Sequence, residues 1–345
     1  MRQPNPSRYD RQARFAPLGQ AGQEQLAKSR ALVCGCGALG SVIAETLVRA
    51  GVGLVRIVDR DFLELNNLQR QVLYDEADVA EGLPKAIAAA NKLRRINSEI
   101  AIEPVVADVT HHNIAALAAD VDTIVDGTDN FATRFLVNDF AVKHRIPWIY
   151  GGCIGAEGQS MTILPGETPC LACFMADAPP PGTTPTCDTA GVLAPIVNVI
   201  ASIEACEALK ILGGHRQAVS RKLAIIDLWD NHVRHVDLSR LRDGGDCRAC
   251  KLGEFAWLSG QRADATAALC GRNAVQLSPP PGDKLSLEDL ATRLAGVGQI
   301  QKNAFLLRLT VDGYVLTVFP DGRTIIGGTN DIATARTVHA RYIGA

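Results

Sequence analysis

Two cysteine pairs, Cys170-x-x-Cys173 and Cys247-x-x-Cys250, supply the four sulfurs of a tetrahedral zinc site with no position left open for catalysis. Such a site acts as a staple, binding the stretch near residue 250 back onto the middle of the chain. A redox dithiol or a buried apolar pair are the competing readings, and the matched spacing of both pairs favours zinc. Upstream, Gly35-Cys-Gly37-Ala-Leu-Gly40-Ser41 ends an apolar run and opens a helical pattern. Glycines there let the backbone approach a phosphate, and the helix N-terminus favours its charge. Asp59, at the tip of the next apolar run, is spaced to take ribose hydroxyls. Up to this point a nicotinamide-dependent oxidoreductase fits equally well.

The residues that follow do not suit hydride transfer. Arg70, in Asn66-Asn67-Leu-Gln-Arg70-Gln71, and Lys85, after Pro84, are two cations of the kind that neutralise a triphosphate while its phosphorus is attacked. Asp129, in Asp126-Gly-Thr-Asp129-Asn130, follows a buried-strand pattern and falls at the carboxyl edge of a sheet, where a magnesium ligand belongs. An ordinary helix cap is the alternative for Asp129. The company of Arg70 and Lys85 favours the metal.

The elements that must position these groups read as α/β. Apolar runs at Ala31 to Cys34, Val55 to Val58, Ile100 to Val106, Thr123 to Asp126 and Trp148 to Gly151 have the length of buried strands. Helical patterns separate them at Leu39 to Ala50, Lys85 to Ile96, Asn113 to Ala118 and Arg134 to His144, which predicts a Rossmann-like doubly wound sheet. Antiparallel character is expected from Gln159 to Leu164 and from Leu223 to Leu238, giving a zinc-stapled antiparallel extension. Pro179 to Pro185 reads as a poorly ordered loop before Cys187. The domains predicted are residues 1–253, which bind the nucleotide and zinc, and a small α+β domain over 254–345. In that tail a helix near Leu285 to Ala295, strands at Ala304 to Thr310, Tyr314 to Phe319 and Thr324 to Gly328, and a helix at Ile332 to Tyr342 are expected, with Asp312-Gly313 and Asp321-Gly322 as turns.

Composition narrows the classes further. The 35 basic and 37 acidic residues among 345 leave a formal charge of −2, with no electrostatic footprint for nucleic acid or a membrane surface. The long apolar stretch from Ala190 to Leu212 carries Glu204, Glu207 and Lys210 and reads as a buried or interface helix rather than a membrane span. Ten cysteines with no secretory pattern ahead of them suggest a reducing, cytoplasmic setting. Cys34, Cys36, Cys153 and Cys206 fall in apolar segments and are expected in the core, and Cys270 has no identifiable partner.

Taken together, Arg8-Tyr-x-Arg11-Gln12, the glycine turn, Asp59-x-Asp61, Asn67-Leu-Gln-Arg70-Gln71, Pro84-Lys85, Thr128-Asp129-Asn130, both cysteine pairs and Thr186-Cys187 resemble the adenylyltransferases that activate ubiquitin-like proteins, in their bacterial ThiF and MoeB branch. The likeness covers about residues 7–252. It implies binding of ATP with Mg2+ alongside Zn2+, and attack of the C-terminal Gly-Gly carboxylate of a ubiquitin-like sulfur carrier on the α-phosphorus. It also implies Asp59 and Asp61 at the nucleotide, Asn67, Arg70 and Lys85 on phosphates, and Asp129 as the magnesium-linked acid. Arg11 becomes an arginine finger from a second protomer, hence a homodimer. Cys187 is implied either as a sulfur-transfer nucleophile or as a dispensable thiol. A rhodanese domain, which some relatives carry, is not matched by the tail. The alternatives are a tRNA-directed adenylating dehydratase of the same superfamily, the oxidoreductase above, and a catalytically silent scaffold.

Overall fold

Strands buried on both faces need continuous apolar sequence, and Ala31 to Cys34 and Thr123 to Asp126 have it up to the closing aspartate; every residue from Ala31 to Cys34 and from Thr123 to Asp126 is buried. The computed structural model describes residues 8–179, 187–262, 266–269, 273–278 and 285–344. They fall into two units, 8–179 with 191–262, and 187–190 with the described residues of 263–344.

The first unit opens with α1 (Asp10–Ala13) and α2 (Gly19–Leu26). An alternation follows: β1 (Arg30–Cys34), α3 (Ala38–Ala50), β2 (Leu54–Asp59), α4 (Glu76–Glu81), α5 (Lys85–Ile96), β3 (Ala101–Val106), α6 (Ile114–Leu117), β4 (Thr123–Asp126), α7 (Phe131–His144) and β5 (Trp148–Ile154). After it come β6 (Glu157–Ile163), α8 (Leu171–Phe174), α9 (Cys187–Ala190), α10 (Ala194–Leu212), β7 (Lys222–Asp227), β8 (His232–Asp237) and α11 (Ser239–Asp243), of which α9 groups with the second unit. One eight-stranded sheet runs β3-β2-β1-β4-β5-β6-β7-β8. Its first five strands are parallel and its last three antiparallel, as the sequence predicts. Strand order reverses between β1 and β4, and in open α/β sheets ligands bind in the crevice at such a switch point.

Two apolar cores flank the sheet. One holds Ile43 and Leu47 of α3, Ala89 and Leu93 of α5, and Ile196 and Ile200 of α10; the other holds Phe135 and Phe140 of α7 with Trp148 and Leu171. Glycine lets α10 lie close to the hairpin of β5 and β6: a Cβ on Gly158 would stand 2.4 Å from Ile200, and one on Gly151 2.3 Å from the Glu204 carboxyl. Cys34 and Cys36 are buried and Cys153 half-buried, but Cys206 is exposed on α10, contrary to expectation. Glu254 to Arg262, assigned to the tail on sequence, lies in the first unit, where Asp139 accepts the Trp257 and Leu258 N–H groups at 3.0 and 3.4 Å. No helix among the described residues is long and apolar enough to cross a membrane.

The second unit contains β9 (Thr266–Leu269), β10 (Ala274–Leu277), α12 (Leu287–Arg293), β11 (Gln299–Lys302), β12 (Leu307–Val311), β13 (Tyr314–Val318), β14 (Thr324–Gly327) and α13 (Ile332–Tyr342). Its sheet is antiparallel in the order β11-β12-β13-β14-β10-β9. Leu287 and Leu290 of α12 and Ala335 and Val338 of α13 share one core with Val275, Leu309, Leu316 and Ile326. Asp312 and Gly313 both take positive φ, the two-residue turn that their sequence predicts. Cys270 and Pro180 to Pro185 lie outside the described residues.

Glu204 of α10 is a buried acid. It is fully buried, and neither carboxyl oxygen has a hydrogen-bond partner among the described residues. Burial pushes its carboxyl well above the ordinary carboxylate range, Asp126 adds to the rise and Arg134 opposes it. The folded chain thus keeps a proton that the unfolded chain releases. That contribution to stability is greatest below the ordinary glutamate value and is lost as pH rises toward the raised one. Glu204→Gln should remove this slope, so the variant's gain in Tm over the parent chain grows from pH 5 to pH 8 in scanning calorimetry. An equal difference at both pH values would mean that Glu204 is ionised in the fold.

Candidate nucleotide site and zinc clip

At the switch point three glycines interlock. Gly35 has φ +85°, and a Cβ on Gly40 would meet the Gly35 carbonyl at 1.9 Å. A Cβ on Gly127, just past β4, would stand 2.4 Å from that same oxygen. Gly37 is different: the nearest atom to its missing Cβ is the Gln71 amide nitrogen at 3.8 Å, so the turn is open on that side. Gly37 caps α3 without a side-chain hydrogen bond, which leaves the first N–H groups of the helix free for an anion. This cradle fits a phosphate.

Asp59 closes the other wall. Its two oxygens accept the Cys36 N–H at 2.6 Å and the Asp61 N–H at 2.7 Å, so the carboxylate is held in one orientation. Burial pushes its pKa up, against Lys85 and the two N–H donors. Lys85 begins α5 and is buried, with its ammonium 3.3 Å from Asp61. The Tyr74 hydroxyl donates to the Cys36 carbonyl at 2.6 Å and to the Lys85 carbonyl at 3.2 Å, tying the glycine turn to the start of α5. Arg70 donates to the Asn66 carbonyl at 2.9 Å and stays half-exposed. Asn67 is buried, and its amide is used within its own 3-10 turn: it accepts the Glu64 N–H and donates to the Asn66 side chain.

Asp129 is not the helix cap. Asn130 takes that role, accepting the Thr133 N–H at 2.8 Å, and Asp129 is left exposed at the carboxyl edge, a disposition that fits a magnesium-linked acid. Behind it lie two groups that the sequence reading passes over, Asp126 and Arg134. They form a buried pair at 2.9 Å. Local sequence gave little signal for the pair, because Thr128, Asp129, Asn130 and Thr133 make the whole stretch between them polar.

Arg11 stands apart from the cradle. Tyr9 is buried and accepts the Asn97 amide at 2.8 Å, Gln12 donates to the Ala50 carbonyl at 2.9 Å, and Arg8 donates to the Ile96 carbonyl at 3.1 Å. These bonds pin α1 to the C-terminal ends of α3 and α5. The glycine turn and Lys85 occupy the opposite ends of those helices, a helix length of about 20 Å away. Cys187 belongs to α9, and its side chain is outside the described residues.

The four predicted zinc ligands do converge. Cys170, Cys173, Cys247 and Cys250 bring their sulfurs within 4.8 Å of one another, with Sγ–Sγ distances of 3.8 Å for 170–173, 3.6 Å for 170–247 and 3.3 Å for 173–250. A regular tetrahedron with Zn–S bonds of about 2.3 Å needs sulfurs roughly 3.8 Å apart, so the set fits the ion. The Leu171 N–H donates to Asn138 of α7 at 2.8 Å, which moors the clip to that helix. Purified protein should carry about one zinc per chain by elemental analysis. Cys170→Ser should lose that zinc together with several degrees of Tm, and an unchanged metal content would rule the site out.

Residues 9–249 match the ThiF family. A relative named sulfur carrier protein ThiS adenylyltransferase, from Bacillus subtilis, is 45% identical over 338 residues, spanning 98% of this chain and 99% of that protein. The SAMP-activating enzyme E1 of Haloferax volcanii is 38% identical over 246 residues, 71% of this chain and 89% of its own. Among solved structures, E. coli MccB with ATP superposes with a TM-score of 0.61 at 23% identity, over 71% of this chain and 75% of that one, a likeness of fold. With its glycine cradle, its four-cysteine clip and this breadth of similarity, the chain belongs to the ThiF family.

Proposed function

We propose that this protein is an adenylyltransferase that activates the C-terminal Gly-Gly carboxylate of a ubiquitin-like sulfur carrier. One observation carries the reading: an open glycine cradle at a helix N-terminus, walled by a pre-oriented Asp59 and a buried Lys85, with Asp129 free at the adjacent sheet edge. An oxidoreductase would use the cradle and Asp59 but has no need of Lys85 and Asp129 together. A carrier of the ThiS kind is favoured because the relative of that name matches through the second unit as well as the first.

In this reading the nucleotide lies along the crevice, its ribose at Asp59 and its phosphates between the first N–H groups of α3, Lys85 and Arg70. Asp129 would hold Mg2+, which supplies neutralisation of the phosphate charge. A carboxylate oxygen of the carrier attacks the α-phosphorus, the new O–P bond forms, and the bond to pyrophosphate breaks. The chain's own contribution is positioning and charge stabilisation. Asn67, with its amide already engaged, would shape the turn that carries Arg70.

Arg11 fits a role in trans. It makes no ion pair with a described residue, and α1 is pinned at the ends of α3 and α5 remote from the cradle of its own chain. A second copy of the chain would bring it to the site, so the active species would be a homodimer. Cytoplasmic residence suits the free thiols and the zinc clip.

ATP–pyrophosphate exchange should appear only when a Gly-Gly carrier is present. Asp129→Ala should abolish it and Lys85→Ala should lower it about 10²-fold. Exchange without a carrier, or full exchange by Asp129→Ala, would overturn this reading. Co-expressed Arg11→Ala and Asp129→Ala chains should recover about a quarter of the parent activity, since half of the dimers are mixed and each mixed dimer holds one complete site. No recovery from freely exchanging subunits would mean that Arg11 does not act in trans, and parental activity of Arg11→Ala alone would place it outside the reaction.

A further inference from the structure

We propose that Arg134 is a positioning residue: with Asp126 it sets the corner of the chain that presents Asp129. The inference rests on the adenylation reading above and extends it to residues that touch neither nucleotide nor carrier.

The corner is built from both sides of one residue, Thr128. Asp126 Oδ1 accepts the Thr128 N–H at 2.8 Å and the Thr128 hydroxyl at 2.6 Å. Asp126 Oδ2 accepts Arg134 Nε at 2.9 Å. Arg134 Nη2 then donates to the Thr128 carbonyl at 2.7 Å and to the Gly151 carbonyl at 2.8 Å. Thr128 is therefore gripped at its N–H, its hydroxyl and its carbonyl, and the next residue is Asp129. The guanidinium itself is held by the rings of Tyr150 and Phe131, 5.3 and 5.5 Å from their centroids.

Stability alone does not account for this arrangement. A buried ion pair commonly does no better than apolar side chains of the same volume. Here the corner also tolerates a second buried acid, Glu204, on the far side of Gly151, unpartnered among the described residues and within electrostatic reach of Asp126, Arg134 and Tyr150. An ionised Glu204 would compete with Asp126 for Arg134. The fold thus accepts two desolvated acids, Asp126 at the end of β4 and Glu204 of α10 against the middle of β5, and what it gains is a fixed direction for the loop that leaves β4. Lysine could pair with Asp126 but could not also hold two carbonyls, because it lacks the planar fork.

The test uses the full chain and two readouts: carrier-dependent pyrophosphate exchange, and the gain in ATP affinity on adding Mg2+, measured by calorimetry with and without the ion. Arg134→Lys is expected to lower kcat by roughly 10-fold to 10²-fold, the cost of about 1 Å of misplacement, and to shrink the Mg2+-dependent gain, with ATP affinity in EDTA unchanged. In an Asp129→Ala background, Arg134→Lys should bring no further loss of that gain, since it acts through Asp129. Should Arg134→Lys not fold, Thr128→Val, which removes one bond to Asp126 and leaves the pair intact, is expected to show a milder form of the same signature. A variant that is only less heat-stable, with parental kcat and Mg2+ response, overturns the proposal, as do additive losses in the double variant. Failure of the adenylation reading looks different: the parent chain then shows no exchange with any carrier, and Asp129→Ala leaves the Mg2+-dependent gain intact.

Discussion

Everything in the first unit is arranged around the closeness of two backbone segments at the middle of its sheet. The turn after β1 and the turn after β4 touch through Gly35, Gly40 and Gly127, at separations that exclude even a methyl group. That contact fixes how far α3 stands from the strand it follows. It also fixes where the free N–H groups of α3 point and how near the Asp129 loop comes to them. Asp59 and Tyr74 then lock the glycine turn from two further directions. The crevice is thus preorganised by main-chain geometry, and the charged side chains are placed upon it.

Much of this was legible in the sequence because it rests on short-range rules. Five buried strands and the helices between them announce themselves by apolar runs and period, and the antiparallel change after β5 by alternation. The convergence of the four cysteines was legible from spacing alone. What escaped depends on long-range placement. The pinning of α1 to the remote ends of α3 and α5 sets Arg11 apart from the cradle, and nothing local to Arg8-Tyr-Asp-Arg-Gln reports it. Asp126 and Arg134 read as the end of one element and the start of another, because their meaning lies in the carbonyls that they gather.

Other differences have equally physical causes. Helix α10 is apolar on nearly all sides, so its composition does not say which stripe faces out, and Cys206 proved to be on that stripe. In the tail, β11 is Gln-Ile-Gln-Lys, an exposed edge strand whose polar residues hide it from any hydrophobic pattern. The turn residues of the neighbouring hairpin were found because a positive φ at Asp312 and Gly313 demands a narrow choice of side chains.

The clip has a consequence for how the chain is made. The groups of the nucleotide crevice lie between Gly35 and Arg134 and are complete early in synthesis, while the paired cysteines Cys173 and Cys250 stand 77 residues apart. At ribosomal rates of about 5–20 residues per second, the first two thiolates wait roughly 4–15 s for their partners. During that interval α10, β7 and β8 are still being made. Closure of the four-cysteine clip therefore comes after every strand of the eight-stranded sheet has been made.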